Sequence, residues 1–216
     1  MKQLSFWLLV FTIVSCSLIK DDANKNCQKF QTYFGAKDDS NYIKWKIGYL
    51  QDRLEIKSIF KGTDSLEFRL WLPGIFSVDS TWHLVRYKLN NRNEWELVVT
   101  NFRFEWIGVE EYIDSYMTVS EKILTPDTTI LHLLLANTPL LSNSQTFNDS
   151  CINYIKGPYK QIFMEYATPC SYWGTEFWSP NKVDDSCKSE SDILFNKLLQ
   201  GLQKQNGLEF IINYIQ

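Results

Sequence analysis

Apolar and polar residues alternate with a period of two from Asn41 to Trp106, and this pattern constrains the fold more than any other feature of the chain. Such alternation is typical of antiparallel strands with one buried and one solvated face. Short polar joints containing Asn or Gly separate the runs and favour hairpins. The predicted strands form a five-stranded meander and cover residues 43–49, 54–56, 66–72, 82–89 and 95–106.

Three features of the pattern refine this prediction. The phase of the alternation slips near Thr100 and Asn101, which predicts a β-bulge. Residues 112–119 and 162–167 also alternate and are predicted strands. The segment that follows Thr125 is compatible with a helix or with a turn before a strand, and its β-branched residues favour a strand at residues 129–136.

A helix is predicted near the C-terminus. Ser189 and Asp192 have the spacing of an approximate capping box, and Gly207 is a natural helix end. The helix carries an apolar stripe at helical spacing formed by Leu194, Phe195, Leu198, Leu199 and Leu202. Residues 208–215 are predicted to form a closing strand. The predicted fold class is β-rich α+β: an antiparallel meander sheet, as a sandwich or a curled half-barrel, with one C-terminal helix and a closing strand.

The first sixteen residues have the pattern of a secretory signal peptide. Lys2 precedes an apolar run from Leu4 to Val14, which is too short to span a bilayer but fits the core of such a peptide. The run ends in Ile-Val-Ser followed by Cys16, which resembles the lipobox of bacterial lipoproteins. The resemblance covers residues 1–16 and implies cleavage before Cys16 and acylation of that cysteine. The alternative is an ordinary signal peptide, cut after Ser15 or Ser17, that releases a soluble secreted protein.

The resemblance implies a protein of the bacterial cell envelope. A lipid on Cys16 would anchor it to a membrane, at the periplasmic or the surface face of the outer membrane. The predicted organisation is then a signal peptide at residues 1–15, the lipidated cysteine and a polar tether at residues 16–40, and a single β-rich globular domain at residues 41–216.

Four cysteines remain once Cys16 is assigned to the lipid. An even number in an oxidising compartment predicts two disulfides, for which three connectivities exist. We favour Cys170–Cys187 because the intervening loop is local and polar, and Cys27–Cys151 then follows by elimination. The spacings do not match the short Cys pairs of zinc sites, so no metal is predicted.

Charge and motifs exclude several classes of function. The formal net charge is −3, with 22 basic and 25 acidic residues and no basic run longer than two, so no nucleic-acid partner is predicted. The sequence lacks the motifs of serine hydrolases, zinc proteases, phosphate-binding loops and calcium loops. Its histidines, His83 and His132, lie within predicted strands and are expected to be structural. The carboxylates of Glu110, Glu111 and Asp114 are expected to be solvated. The protein is therefore predicted not to be an enzyme and to need no cofactor.

Aromatic residues, 15% of the chain, are the remaining functional signal. Most of the tryptophans fall on predicted strands, where they are expected to fill the core. The segment from Tyr166 to Trp178 instead has the Pro and Gly content of a loop. A rigid aromatic loop is a typical binding surface, although it is equally able to fold down and cap the sheet. The predicted ligand-binding residues are Tyr166, Tyr172, Trp173, Phe177 and Trp178.

These observations together predict a membrane-tethered, non-enzymatic binding module for a glycan or an envelope protein. Two alternatives are a carrier of an apolar ligand in a barrel-like cavity and an immunity or inhibitor protein.

Overall fold

The structure is a computed structural model, and it describes residues 30–34, 40–73, 81–90, 92–105, 116–141, 161–178, 188–211 and 213. The strands are β1 (Gln31–Phe34), β2 (Glu67–Leu72), β3 (Trp82–Leu89), β4 (Trp95–Glu105), β5 (Tyr116–Leu124), β6 (Gln161–Thr168) and β7 (Ser171–Trp178). The α-helices are α1 (Ser40–Arg53), α2 (Thr128–Leu141) and α3 (Glu190–Gln203), and a short 3-10 helix spans Glu209–Ile211.

The strands form one open, mixed sheet in the order β1-β7-β6-β2-β3-β4-β5. Every neighbouring pair is antiparallel except β1 and β7, which run parallel. Strands β2 to β5 form a meander, and the β6–β7 hairpin adds to its β2 side. This arrangement confirms the predicted β-rich α+β class. The described strands do not close on themselves, since β1 and β5 lie at opposite edges.

Helices cover both faces of the sheet. The first, which we call the α2–α3 face, buries residues such as Leu70, Val85 and Met164 against the apolar sides of α2 and α3. The second, the α1 face, packs Trp71 and Phe163 against Ile47 of α1. Because both faces are buried, neighbouring strand residues such as Leu97 and Val98 are both almost fully buried.

This double burial explains why the predicted bulge is wrong. The pairing of β4 with β3 and β5 continues without interruption through Thr100 and Asn101. Val99 points to the α2–α3 face and Phe102 to the α1 face, and both are buried. The apparent slip in phase therefore marks a strand with two apolar faces, not an inserted residue.

Residues 43–49 form part of helix α1, so the predicted first strand is wrong. Ile47 and Leu50, three positions apart, are buried on the side of the helix that faces the sheet, whereas Trp45 and Tyr49 point outward. The apolar residues of the segment 43–49 alternate as in a strand. The helical spacing of its buried side chains becomes visible only when the next residues, Leu50 and Gln51, are included. The predicted strand at residues 54–56 is also absent, because the chain turns there with Glu55 at a positive φ of 54°.

The preference for a strand at residues 129–136 is likewise wrong, because helix α2 spans this segment. Asp127 caps the start of the helix: its Oδ1 accepts a hydrogen bond from the backbone N–H of Thr129 at 2.7 Å. Ile130, Leu131 and Leu134 are buried at helical spacing against the sheet. The burial of this stripe outweighs the modest β propensity of the Thr and Ile residues.

The C-terminal helix confirms its prediction. In α3, the Ser189 side chain accepts from the Asp192 backbone N–H and the Asp192 carboxylate accepts from the Ser189 N–H, which completes the capping box. The five residues of the predicted apolar stripe are all buried. Gly207 follows the helix with φ +89°, where a Cβ would come within 2.9 Å of Leu124.

The two ends of the described chain depart from the prediction. Residues 31–34, which belong to the predicted tether, form edge strand β1 instead. The predicted closing strand begins with a 3-10 helix at Glu209–Ile211, whose Ile211 is buried. Residues 116–119 of the predicted strand 112–119 lie in β5, which continues to Leu124, and residues 112–115 lie outside the described residues.

Candidate functional site

A row of aromatic rings in contact crosses four strands on the α2–α3 face. It consists of Tyr33 on β1, Trp173 on β7, Tyr166 on β6 and Phe68 on β2, which occupy paired positions in the sheet. The ring centroids are 5.6 Å apart for Tyr33–Trp173 and 4.8 Å apart for Trp173–Tyr166. The Phe68–Tyr166 centroids are 4.4 Å apart. Cross-strand aromatic neighbours of this kind stabilise one another.

The row is buried at one end and open at the other. Phe68 and Tyr166 lie in the core beneath the helices, and Trp173 is partly buried. Tyr33 is 44% exposed, and its ring lies within 11° of the plane of the Trp173 indole. Its hydroxyl donates a hydrogen bond to Gln31 Oε1 at 3.0 Å, which sets the direction of the ring. The open end therefore presents a flat, oriented aromatic surface to solvent at the β1 edge.

The row presents rings and hydroxyl groups without charge. Burial raises the pKa of Tyr166 to about 12, so its phenol stays protonated at neutral pH. A neutral, flat surface of this type binds by stacking and by van der Waals contact.

The structure corrects the predicted aromatic loop. Residues 166–178 form a β-hairpin, with Pro169 and Cys170 in its turn. Tyr172 and Phe177 are fully buried on opposite faces, Tyr172 beneath the α1 side and Phe177 stacked on Phe195 at 4.0 Å. Because both faces of these two strands are covered, most of the aromatic rings of the segment are buried. The segment therefore does not form the exposed aromatic loop that was predicted.

Of the five predicted ligand-binding residues, the structure brings Tyr166 and Trp173 together in the row. The side chain of Trp178 lies outside the described residues. Sequence reasoning missed Tyr33, whose neighbours looked like a tether. Strand β1 pairs with β7, which lies far away in the sequence. The only local sign of a strand is the pair of apolar residues Tyr33 and Phe34.

The hairpin turn is fastened to β1. The backbone N–H of Gln31 donates to the Cys170 carbonyl at 3.1 Å. Cys170 is disulfide-bonded. Cys16, Cys27, Cys151 and Cys187 lie outside the described residues, so the pairing Cys170–Cys187 and the pairing Cys27–Cys151 stay predictions.

A buried carboxyl group is the centre of the α1 face. Glu165 Oε2 accepts from Trp71 Nε1 at 2.5 Å, and Oε1 accepts from the Tyr172 hydroxyl at 3.1 Å. Gln51 Nε2, from α1, lies 3.3 Å from Oε1. Burial raises the pKa of Glu165, against the opposing effects of Arg69 and of the hydrogen bonds from Trp71 and Tyr172. The residue is fully buried, so this network joins α1 to the sheet and offers no surface to a substrate.

Charged side chains beside Glu165 pair within the same face. Arg69, opposite Glu165 in the sheet, donates from Nε to Glu67 at 2.7 Å and from Nη2 to the Lys57 carbonyl at 2.7 Å. Arg86 contacts Glu121 at 2.6 Å. These contacts pair the charged side chains of a layer that is otherwise apolar.

The histidines occupy structural surroundings. His83 Nδ1 lies 2.6 Å from Asn101 Oδ1, and its ring stacks on Phe210 at 3.8 Å. Burial lowers the pKa of His83, which keeps the ring neutral at pH 7 despite the hydrogen bond to Asn101. His132 is on the exposed side of α2. Glu110, Glu111 and Asp114 lie outside the described part of the chain.

A cavity of about 20 Å³ lies between the sheet and helices α2 and α3, which is room for one water molecule. Where the structure describes the chain, no three His, Cys, Asp or Glu side chains are grouped closely enough to hold a metal ion. Among the described helices, none is both long and apolar enough to cross a membrane.

The fold and the row define a β-rich α+β domain with an aromatic edge surface. No protein-family model matches the chain, and no curated protein matches it either.

Proposed function

We propose that this protein is a membrane-tethered, non-enzymatic binding module of the bacterial envelope, and that the open end of the aromatic row, Tyr33 and Trp173, contacts its ligand. The proposal rests above all on one observation: an exposed tyrosine ring stacks on a tryptophan that is itself stacked into the core. Such a surface loses little side-chain entropy when a ligand covers it, because the rings are already fixed.

The ligand classes that suit this surface are a glycan and an envelope protein. A sugar ring stacks on flat aromatic faces, and the nearby Gln31 amide supplies polar contact at the same edge. The neutral chemistry of the row favours these ligands over a charged one. The lipobox-like sequence ending at Cys16 supports the envelope address.

The alternative functions have less support. A carrier needs an enclosed cavity of about 300 Å³ or more, and the cavity beneath α2 and α3 is about 20 Å³. Catalysis needs an acid, base or nucleophile placed in an accessible cleft, whereas Glu165 is sealed in the core and the His83 ring is stacked on Phe210 and hydrogen-bonded to Asn101. No observation favours an immunity or inhibitor role specifically.

The test compares substitutions at the row with one elsewhere on the surface. We expect Tyr33→Ala and Trp173→Ala to weaken binding at least tenfold, which corresponds to about 1.4 kcal/mol, and Trp173→Phe to keep most of it because a ring remains. The probes are an array of bacterial and host glycans and envelope proteins captured by the mature chain, followed by titration of each hit.

Tyr49→Ala is the matched control, since Tyr49 is 43% exposed but lies on α1, across the sheet from the row. Equal affinity of the Tyr33→Ala and wild-type proteins for every hit would show that the row is not the binding surface. An equal loss in Tyr49→Ala would point to general misfolding instead.

A further inference from the structure

The disulfide partner of Cys170 can be inferred from where the described elements begin and end. Cys170 lies in the turn of the β6–β7 hairpin and is disulfide-bonded. With Cys16 assigned to the lipid, the candidate partners are Cys27, Cys151 and Cys187. A disulfide needs Cα atoms about 4.4–6.8 Å apart, and an extended chain spans at most about 3.6 Å per residue. These two limits decide which cysteine can reach the turn.

Helix α3 begins at the opposite end of the hairpin from Cys170. Its Phe195 stacks on Phe177, which is seven residues beyond Cys170, or about 23 Å along an extended strand. From Phe195 onward the helix runs toward the level of the turn, because Leu202 lines the small cavity beside the buried end of the aromatic row. Ser189 precedes Phe195 by six residues and therefore lies still farther from the turn.

This placement excludes Cys187 as the partner of Cys170. Cys187 precedes Ser189 by two residues, which span at most about 7 Å, whereas Ser189 and Cys170 are more than about 20 Å apart. Cys151 is also poorly placed, because Gln161, ten residues later, pairs with the last residue of β7 at the same far end. The stretch before Gln161 would have to return along the whole hairpin, about 25 Å, to reach the turn.

The chain that follows Cys27 leads directly to the turn. Gln31 pairs with Ser171 in parallel register, and its N–H donates to the Cys170 carbonyl at 3.1 Å. The same register places Phe30 beside Cys170, at the spacing of neighbouring strands, about 5 Å. Cys27 is three positions before Phe30, so it starts within about 11 Å of this residue. A single bend of the chain therefore brings the two cysteines to bonding distance.

The geometry points to a Cys27–Cys170 disulfide, which leaves Cys151 and Cys187 as the second pair. Short stretches of ten and two residues connect these last two cysteines to the end of the hairpin opposite the turn. This connectivity differs from the one that the local, polar loop between Cys170 and Cys187 favours in the sequence. Each bond forms by thiol–disulfide exchange, in which two thiols pass two electrons and two protons to an external disulfide, which is reduced to two thiols.

The Cys27–Cys170 bond acts on the aromatic row through β1. This strand has four residues and, among the described strands, pairs with β7 alone. A short edge strand opens more readily than the interior of a sheet. A covalent bond just before β1 restricts this opening and so keeps Tyr33 stacked on Trp173. This consequence rests on the proposed function and adds to it that the binding surface is complete only in an oxidising compartment, whereas the connectivity stands by itself.

The first experiment maps the disulfides of the protein purified from the bacterial envelope without reductant. Lysines place each of the four cysteines on a tryptic peptide of its own. Cys27 lies on peptide 26–29 and Cys170 on peptide 161–182. With free thiols blocked before digestion, we expect a linked species of these two peptides that disappears on reduction. A link from peptide 161–182 to peptide 183–188 or 123–156, or a free thiol at Cys170, would overturn the inference.

The second experiment measures how firmly β1 is held, by hydrogen exchange of the amides of residues 30–34. Cys27→Ser/Cys170→Ser removes the inferred bond, and Cys151→Ser/Cys187→Ser is the matched control that removes the other one. We expect exchange of β1 to be at least about tenfold faster in the first variant and close to that of the wild type in the second. Exchange at the wild-type rate in the first variant would overturn the role assigned to the bond.

These measurements separate the inference from the proposed function, because neither of them needs a lipid or a ligand. If β1 exchanges faster without the bond but Tyr33→Ala leaves the affinity for every glycan and protein hit unchanged, the bond stands and the binding surface fails. If Tyr33→Ala weakens binding but β1 exchanges at the wild-type rate without the bond, the binding surface stands and the role of the bond fails. Circular dichroism shows whether each variant folds, and the peptide map of the wild type decides the connectivity without any variant.

Discussion

Replacing Glu165 by alanine is expected to destabilise the folded protein by about 3 kcal/mol or more. The carboxyl group accepts hydrogen bonds from Trp71 and Tyr172, and Gln51 of α1 lies within 3.3 Å. Alanine leaves these donors buried without an acceptor, and each such donor costs about 1–3 kcal/mol. The loss also removes the hydrogen bond between Gln51 of α1 and β6, while the apolar contacts of Ile47 and Leu50 with the sheet remain.

Urea unfolding measured by circular dichroism tests this prediction, with Glu165→Gln as the matched control. Glutamine keeps the volume and one acceptor oxygen, so its loss of stability should be clearly smaller than that of alanine. Similar, small losses for both variants would mean that the network around Glu165 contributes little.

A comparison of the wild type with Glu165→Gln also reports the protonation of Glu165. Burial raises its pKa above the ordinary value of 4.5, so the folded state holds the proton at pH values where the unfolded chain has released it. The stability that comes from this proton is fully present below pH 4.5 and is lost as the pH rises through the pKa of the folded protein. Arg69 and Glu67 are the charged groups that act on Glu165.

We therefore expect the stability of the wild type relative to Glu165→Gln to fall as the pH rises from about 4.5. Unfolding in urea at a series of pH values measures this difference directly. A difference that stays constant or grows with pH would contradict the raised pKa.

Replacing Phe195 by alanine is expected to cost about 3 to 5 kcal/mol, because it opens a cavity between α3 and the sheet. The Phe195 ring is almost fully buried and stacks on Phe177 of β7 with an angle of 9° between the rings. Removing it deprives both the helix and the hairpin of their main contact at this point.

Two controls keep this result specific. Phe195→Leu should cost much less, since leucine refills part of the volume. Ile193→Ala should be nearly neutral, because Ile193 is on the exposed side of the same helix. A loss below about 1 kcal/mol for Phe195→Ala would contradict the packing of α3 on the sheet.

The parts of the fold that sequence reasoning predicted correctly are those with a strong local signal. Strands β2, β3, β4 and β6 have long alternating runs, and α3 has both a cap at Ser189 and a stripe of leucines. Helix α1 failed because Ile43, Trp45, Ile47 and Tyr49 fit a strand period, while its packing against Trp71 and Phe163 is visible only in three dimensions. Helix α2 was predicted as a strand because the β propensity of its residues is a weak local preference. The burial of its apolar side against the sheet outweighs that preference.

The candidate site was predicted in part, for a related reason. Tyr166 and Trp173 stood out as aromatic residues, but composition alone could not distinguish a loop from a hairpin buried on both faces. Tyr33 escaped prediction because its partner is Trp173, far along the chain, in a parallel pairing of β1 with β7. Long-range pairings of short strands carry almost no signal in the sequence of either strand.

The intact mass of the protein extracted from bacterial membranes tests the proposal of a tethered binding module most directly. We expect a chain of residues 16–216 with acyl groups on Cys16, whose mass rises by about four hydrogens when two disulfides are reduced. A chain that begins at Ser17 or later and carries no lipid would contradict the anchored module and make this a soluble secreted protein.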